Sequence, residues 1–415
     1  MKKNIVFLFS VLLLVSSCKT KKAITPSSVD LHNIRLDVET LSDDKMEGRE
    51  TGTQGEKMAA RYISDRMKSI GLTPLGIGDG YLQLFKKTIK ANPHAEKSSP
   101  DDQVITGYNV IGYLNNDAKY NVVIGAHYDH LGYGGQGSLH TGPPEIHNGA
   151  DDNASGVAGM LRIAEALKNR SDLQYNFIFI GFSGEEKGLW GSNYFSKYPT
   201  LPFSTFSYMI NMDMIGRLSE DKKIAIYGTG TTPVWRKYFD TGAASQFKIK
   251  EELSGVGPSD HTSFYLGDLP VLHFFTGQHA DYHRPSDDAH LINYTGIKEV
   301  TKLILDIIDF TNERGKLRFT KTNDESTETP DFKVTLGVVP DYLFDGKGMR
   351  IDGVREGRPA SRSNLKKGDI VVKMGDLEIV DMMSYMKALG VYEKGQTIDI
   401  TIMRDGKENT RKLTF

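Results

Sequence analysis

YNVVIGAHYDH, residues 120–130, begins as an uninterrupted apolar run and ends in histidine and aspartate. Asn121 to Ala126 carries no charge, as a strand buried on both faces requires. Further along, NASGVAGMLRIAEALKN (153–169) places Val157, Met160, Leu161, Ala164 and Leu167 on one helical face. YNFIFIGF (175–182) is a second buried strand, TFSYMINMD (205–213) a third and LPVLHFF (269–275) a fourth. GEKMAARYISDRMKSIG (55–71) is an earlier helix stopped by Gly71, and IKEVTKLILDIIDF (297–310) a closing one. Apolar strands alternating with helices specify an α/β fold, with a mostly parallel central sheet and helices on both faces.

The chain has 415 residues and a net charge of -2, with basic and acidic residues interleaved. No basic stripe appears, so nucleic acid is not an expected partner. The opening MKKNIVFLFSVLLLVSSC has two lysines, a short apolar core from Ile5 to Val15, then Ser16, Ser17 and the chain's single cysteine, Cys18. The core is too short to be a good membrane span. With one cysteine, no disulfide within the chain holds the fold, which must stand on its core or on bound metal. The stretch resembles a bacterial lipoprotein signal. That resemblance implies cleavage before Cys18, lipidation of Cys18 and attachment to the cell envelope; Lys19 points to the outer membrane.

Ligands of open α/β sheets bind outside the carboxyl ends of the strands. Each apolar run here is followed there by metal-binding chemistry. His127, Asp129 and His130 follow the first strand, and Glu185 and Glu186 follow the second. Asp213 ends the third, and HADYHRPSDD (279–288) follows the fourth. NGADDNASG (148–156) opens the helix between the first two strands. Five such clusters suit a site of nitrogen and oxygen ligands. The counts suggest two metals, with a histidine for each and one carboxylate between them. Such ions share a hydroxide and polarise a carbonyl. Of the adjacent pair Glu185 and Glu186, one can bind metal while the other moves protons.

AHYDH, GADDNASG, GEEKGLWGS, NMDMIG and YHRPSDD together resemble, in order and approximate spacing, the zinc peptidases of family M28, mostly aminopeptidases. The resemblance spans about residues 31–315. It implies a zinc exopeptidase fold of the phosphorylase/hydrolase-like kind and two zinc ions, with cobalt or manganese as possible substitutes. His127, Asp213, Glu186 and His283 match metal ligands, and Asp152 matches the bridging carboxylate. Glu185 matches the general base acting on a metal-bridging hydroxide. Asp129 matches the carboxylate that orients His127, and Tyr282 resembles a hydroxyl donor to the oxyanion. The resemblance also implies a cis peptide between Asp152 and Asn153, leaving Asp151 a supporting or loop role. The implied activity is removal of the first residue from peptides with a free N-terminus. A carboxypeptidase or dipeptidase is the alternative, for which Arg217 and Arg284 are candidate cations; a non-catalytic scaffold is another.

His130, His140, His147, His273 and His279 are expected in loop or core roles, whereas His261 is open between a loop and a place near substrate. GFSGE (181–185) is not a nucleophile elbow, because Glu185 stands where glycine is needed. Residues 1–17 are read as the signal, 18–30 as a tether, 31–315 as the peptidase domain and 316–331 as a polar linker. Residues 332–415 resemble a PDZ domain, a small β-sandwich or barrel-like module, through TLGVV (335–339) and SRSNLKKGDIVVKMGD (361–376). That resemblance implies a groove for a peptide or protein C-terminus, held by strand addition.

Overall fold

The structure, a computed structural model, describes residues 31–89, 99, 102–135, 137–322, 334–341, 344, 346–354 and 357–415. The expected export signal, Cys18 and the tether lie outside the described residues. Among those described, no helix is long and apolar enough to cross a membrane.

The first domain runs α1 (Leu31–Leu41), α2 (Gln54–Ile70), β1 (Thr73–Pro74), β2 (Leu82–Ile89), β3 (Gln103–Leu114), β4 (Asn121–His127) and α3 (Gly156–Lys168). It continues through β5 (Asn176–Phe182), α4 (Trp190–Lys197), β6 (Phe206–Met212), β7 (Lys223–Tyr227), α5 (Pro233–Phe239) and β8 (Lys248–Glu252). It closes with α6 (His261–Tyr265), β9 (Val271–Phe275) and α7 (Tyr294–Thr311). The strands form one nine-stranded sheet in the order β1-β3-β5-β4-β6-β9-β7-β8, with β2 beside β3.

The parallel reading holds for the centre, where β5, β4, β6 and β9 lie parallel. The flanks differ: β3 joins β5 antiparallel, and β7 joins β9 antiparallel. The sheet is therefore mixed. In β2, LQLFKKTI buries only Gln83 and Phe85, so it lacks the continuous apolar run that marks the central strands. Within β4, Val122, Ile124 and Ala126 join the core under the first helical layer, while Val123 joins the core on the other face. The period-two alternation of a strand thus sends apolar groups to both layers.

Several capping contacts set helix ends. Thr53 accepts the Glu56 amide at the start of α2, and Gly71 ends that helix at φ 87. Residues 316–322, expected as linker, instead lie along the first domain. Leu317 is buried, and Thr320 N–H donates to the Thr231 carbonyl at 2.8 Å. The linker therefore starts later than its polarity suggests, because isolated apolar side chains suffice to fix an extended segment.

The second domain contains β10 (Val338–Pro340), β11 (Met349–Val354), α8 (Pro359–Arg362), β12 (Ile370–Met374), β13 (Leu377–Glu378), α9 (Met382–Val391), β14 (Thr397–Arg404) and β15 (Lys407–Thr414). Its strands pair antiparallel in a six-stranded sheet, with β10 at one end. A separate apolar core includes Leu336, Met349, Val371, Ile400 and Leu413.

One buried side chain ties together the segments that carry the polar clusters. Arg49 is fully buried. Its guanidinium donates to the carbonyls of Leu41, Tyr128, Asn148 and Gly149. The last three flank the HYDH and ADDNAS turns. Burial brings the Arg49 pKa down to about 10, offset by nearby carboxylates, so it stays charged at neutral pH. Arg49→Met leaves those carbonyls without their donor and is expected to cost about 3 kcal/mol or more in chemical denaturation. Arg49→Lys is expected to recover only part of this, because a single ammonium lacks the planar fork. A loss below about 1 kcal/mol for the methionine variant would contradict this role.

Candidate active site

Every polar cluster named from the sequence arrives at the carboxyl edge of the parallel strands. His127 is the last residue of β4, Asp213 follows β6, and Glu185 and Glu186 follow β5. His279, Tyr282 and His283 occupy the loop after β9. A turn at residues 150–155 brings Asp152 in from the other side, leading into α3.

Asp152 has its two oxygens pointed at different partners. Oδ1 lies 3.4 Å from His127 Nε2, which is itself 3.3 Å from Asp213 Oδ1. Oδ2 lies 3.2 Å from His283 Nε2, which is 3.4 Å from Glu186 Oε2. Ligands about 2.0–2.1 Å from a tetrahedral ion sit roughly 3.3–3.4 Å apart. Both groups of donors match that spacing, and His127, Asp152 and Asp213 form a cluster able to hold an ion. The donor set of imidazoles and carboxylates fits a divalent metal of the zinc kind.

His130 departs from its expected loop role. Its Nδ1 lies 2.9 Å from Glu186 Oε1 and 3.8 Å from Asp152 Oδ2, and these three residues form a second cluster able to hold an ion. The sequence signal was present, since His130 stands three residues after His127, but only the turn through Tyr128 and Asp129 aims it at Glu186. His279 also has a specific partner, with Nε2 3.2 Å from Asp151 Oδ2. His147 is structural, contacting Ser138 and the Glu145 carbonyl. His261 is buried and stacks on His273, with ring centres 4.3 Å apart. His273 lines the site cavity.

The turn carrying Asp152 is held by residues that the sequence did not single out. Asp287 Oδ2 accepts the backbone N–H groups of Asp151 at 2.9 Å and Asp152 at 3.0 Å. Asn153 donates to the Met212 carbonyl and accepts the Met214 N–H, fastening the turn to the end of β6 beside Asp213. Of the supporting and loop roles open to Asp151, its contacts fit the first: it accepts the Gly216 N–H and the Ser155 hydroxyl. The Asp152–Asn153 peptide is cis. Gly149 has φ 57, and a Cβ there would meet the Asp152 carbonyl at 2.1 Å and the His130 ring at 2.5 Å, so only glycine fits. Asp129 is close to His127, but its carbonyl, 3.2 Å from Nδ1, is nearer than its carboxylate at 3.7 Å. The carboxylate accepts the Glu185 N–H and the Thr51 hydroxyl, so it also positions the Glu185 backbone.

The adjacent glutamates are pushed in opposite directions. Burial raises Glu185 well above the usual carboxylate range; His127 opposes this, while Asp213, Glu186 and Asp260 add to it. Burial also acts on Glu186, but His283 and His130 overcome it and hold that carboxyl well below its ordinary range. Burial works against the charged form of His127, yet Asp213 and Glu185 raise it well above ordinary histidine. Two carboxyls with divergent environments suit two roles, one a permanent anion and the other a proton carrier. They share a cavity of about 130 Å³ whose lining includes Asp152, Asp213, Met214, Phe275, Tyr282 and His283. Tyr282 stacks on His283, with ring centres 3.8 Å apart.

The fold and site define an α/β protein with histidine and carboxylate groups able to hold a metal ion at the mouth of its parallel strands. Residues 109–308 match the model of peptidase family M28, and residues 309–414 match that of a PDZ domain. It is 25% identical over 255 residues to the aminopeptidase YwaD of Bacillus subtilis, covering 57% of this chain and 50% of that protein. The chain spans half or less of the length of the first curated relatives it matches. Among solved structures, an aminopeptidase from Aneurinibacillus sp. strain AM-1 superposes with a TM-score of 0.52 at 17% identity, covering 71% of this chain and 96% of that one. A glutaminyl cyclase from Porphyromonas gingivalis gives 0.51 at 19%, covering 68% and 98%. At these identities the shared property is the fold.

Asp287 touches no candidate metal donor, yet it holds the Asp152 backbone in place. Asp287→Ala is expected to weaken divalent-metal binding about 10–100-fold in a chelator competition, as for other supports of metal ligands. Unchanged affinity would contradict this positioning.

Proposed function

We propose that the chain is a zinc-dependent aminopeptidase that binds two zinc ions and removes N-terminal residues from peptides. The observation that carries this reading is the geometry of Asp152, whose two oxygens face two separate donor groups. His127 and Asp213 would hold one ion beside Oδ1, and Glu186 and His283 the other beside Oδ2. Cobalt or manganese could take the same donors. When bound, the ions supply Lewis-acid activation of a water and polarisation of the scissile carbonyl.

The chain's own residues do the rest. The cavity is lined by Asp152, Glu185, Glu186 and Asp213, and among the described residues no lysine or arginine lines it. Such a rim favours a substrate ammonium and disfavours a substrate carboxylate. The cations that a carboxypeptidase would need lie elsewhere: Arg217 pairs with Asp281 and donates to the Leu291 carbonyl, and neither Arg217 nor Arg284 lines the cavity. Glu185, kept proton-avid by burial, takes a proton from the attacking water as its oxygen bonds to the carbonyl carbon. It passes that proton to the departing amine as the C–N bond breaks. Tyr282 lines the cavity, which supports a role for its hydroxyl as a donor to the developing oxyanion. Met214 and Phe275 give the same cavity an apolar side. The N-terminal segment supports placement of the enzyme as an exported, lipid-anchored envelope protein through Cys18.

Hydrolysis of aminoacyl substrates with free and acylated amines, with and without a chelator, tests the reading. Cleavage confined to free amines and lost on chelation is expected. Equal cleavage of blocked substrates would overturn it, and absence of cleavage by metal-replete protein would favour a non-catalytic peptidase-like scaffold. Glu185→Gln is expected to retain metal while losing at least about 10²-fold in turnover. Near-normal turnover with full metal content would remove Glu185 from the proton-carrying role.

A further inference from the structure

A second and larger cleft, of about 970 Å³, opens between the two domains. Leu253 and Pro258 line it from the peptidase side, and Val380 and Ser384 from the PDZ side. Leu253 is 63% exposed and Val380 42% exposed. Exposed aliphatic groups facing each other across a cleft suit an occupant with its own apolar side chains.

Two observations say what that occupant is. First, the cleft adjoins the metal-ligand cavity, since Pro258 lines both. Tyr227, in the cleft wall, also belongs to the apolar cluster of Met214 and Phe275, which line the smaller cavity, and Tyr282 packs against that cluster. Second, the chain direction is right. PDZ grooves take an extended peptide beside an edge strand and hold its terminal carboxylate on backbone amides. Here β10 is the end strand of its sheet, and Leu336 and Gly337, the latter at φ 71, precede it. Asp341, immediately after β10, lines the cleft. A peptide with its carboxylate at Gly337 therefore points its N-terminal part into the cleft and toward the metal-ligand cavity.

We propose that cleft and groove together bind the C-terminal part of the peptide substrate, so that one peptide is held at its amine by the metal-ligand cavity and at its carboxylate by the PDZ domain. This rests on the aminopeptidase reading. Holding both ends makes the second contact intramolecular and favours peptides long enough to span the path. Peptides too short to reach the groove are cleaved through the metal-ligand cavity alone.

The test uses the full metal-loaded chain and peptides that share one N-terminal residue, from a dipeptide to about twelve residues at ~3.3 Å per residue. Each is prepared as the free acid and as the C-terminal amide. The expected result is a rise in kcat/KM of at least about tenfold past one length, for the free acids only. Leu253→Asp and Val380→Asp are expected to flatten that rise and leave dipeptide hydrolysis unchanged, which also shows that the variants are folded. A flat length profile would overturn the proposal, as would a rise that amides share or that both variants keep. So would an N-blocked long peptide that alters dipeptide turnover without competing for the cavity, since that marks a separate effector site. A dipeptide left uncleaved would strike the aminopeptidase reading itself, whereas dipeptide cleavage with a flat profile strikes only the shared path.

Discussion

Too much negative charge is gathered in one dry place for the site to stand without added positive charge. Asp129, Asp151, Asp152, Asp260 and Asp287 are buried around the same turns, and Glu185, Glu186 and Asp213 complete the group. Buried carboxylates must be paired, protonated or bound to metal. The chain supplies some compensation itself. Burial and surrounding acids push Glu185 up, burial raises Asp260 to about 7, and burial with Asp151 raises Asp287 to about 6. His127 and His283 are driven well toward their charged forms, against the effect of burial. Such a gathering of buried acids with imidazoles suits a divalent cation. Two divalent ions would let His127 and His283 bind as neutral imidazoles and let their carboxylate partners ionise together.

That electrostatic load explains the scaffolding behind the site. Arg49 contributes a permanent cation and at the same time fixes the carbonyls flanking the HYDH and ADDNAS turns. Asp287 spends one oxygen on the amides of Asp151 and Asp152. Asn153 joins that turn to the strand end that presents Asp213. Each candidate ligand is therefore set by a rigid element or by a turn with its own hydrogen bonds. Preorganisation of this kind gives a metal site its geometry before any ion binds.

The central strands and the candidate ligands were legible because the same physics writes both. A strand buried on two faces must be apolar, and the residue at its carboxyl end is where chemistry becomes possible; His127 and Asp213 announce themselves this way. Strands β2 and β8 are not singled out, since exposed strands at the sheet's flanks carry mixed residues with no continuous run; β3 and β7 lie inside the sheet, but the first is buried only over its second half and the second is only five residues long. Asp287 and His130 were visible as residues but not as participants. Their roles depend on backbone turns that bring together segments far apart in the chain, 136 positions for Asp287 and Asp151 and 56 for His130 and Glu186, and periodicity carries no record of that. The adjacent Asp151 and Asp152 likewise separate in function only because the turn sends one side chain to Gly216 and Ser155 and the other between the two histidines.

The proposed function requires Asp152 to lie between two ions. Anomalous diffraction at the zinc absorption edge, from crystals of the full chain grown with zinc, tests it directly. Two peaks about 3.5–4 Å apart are predicted, one beside His127 and Asp213 and one beside Glu186 and His283, with an Asp152 oxygen toward each. A single peak, or none near Asp152, would contradict the account.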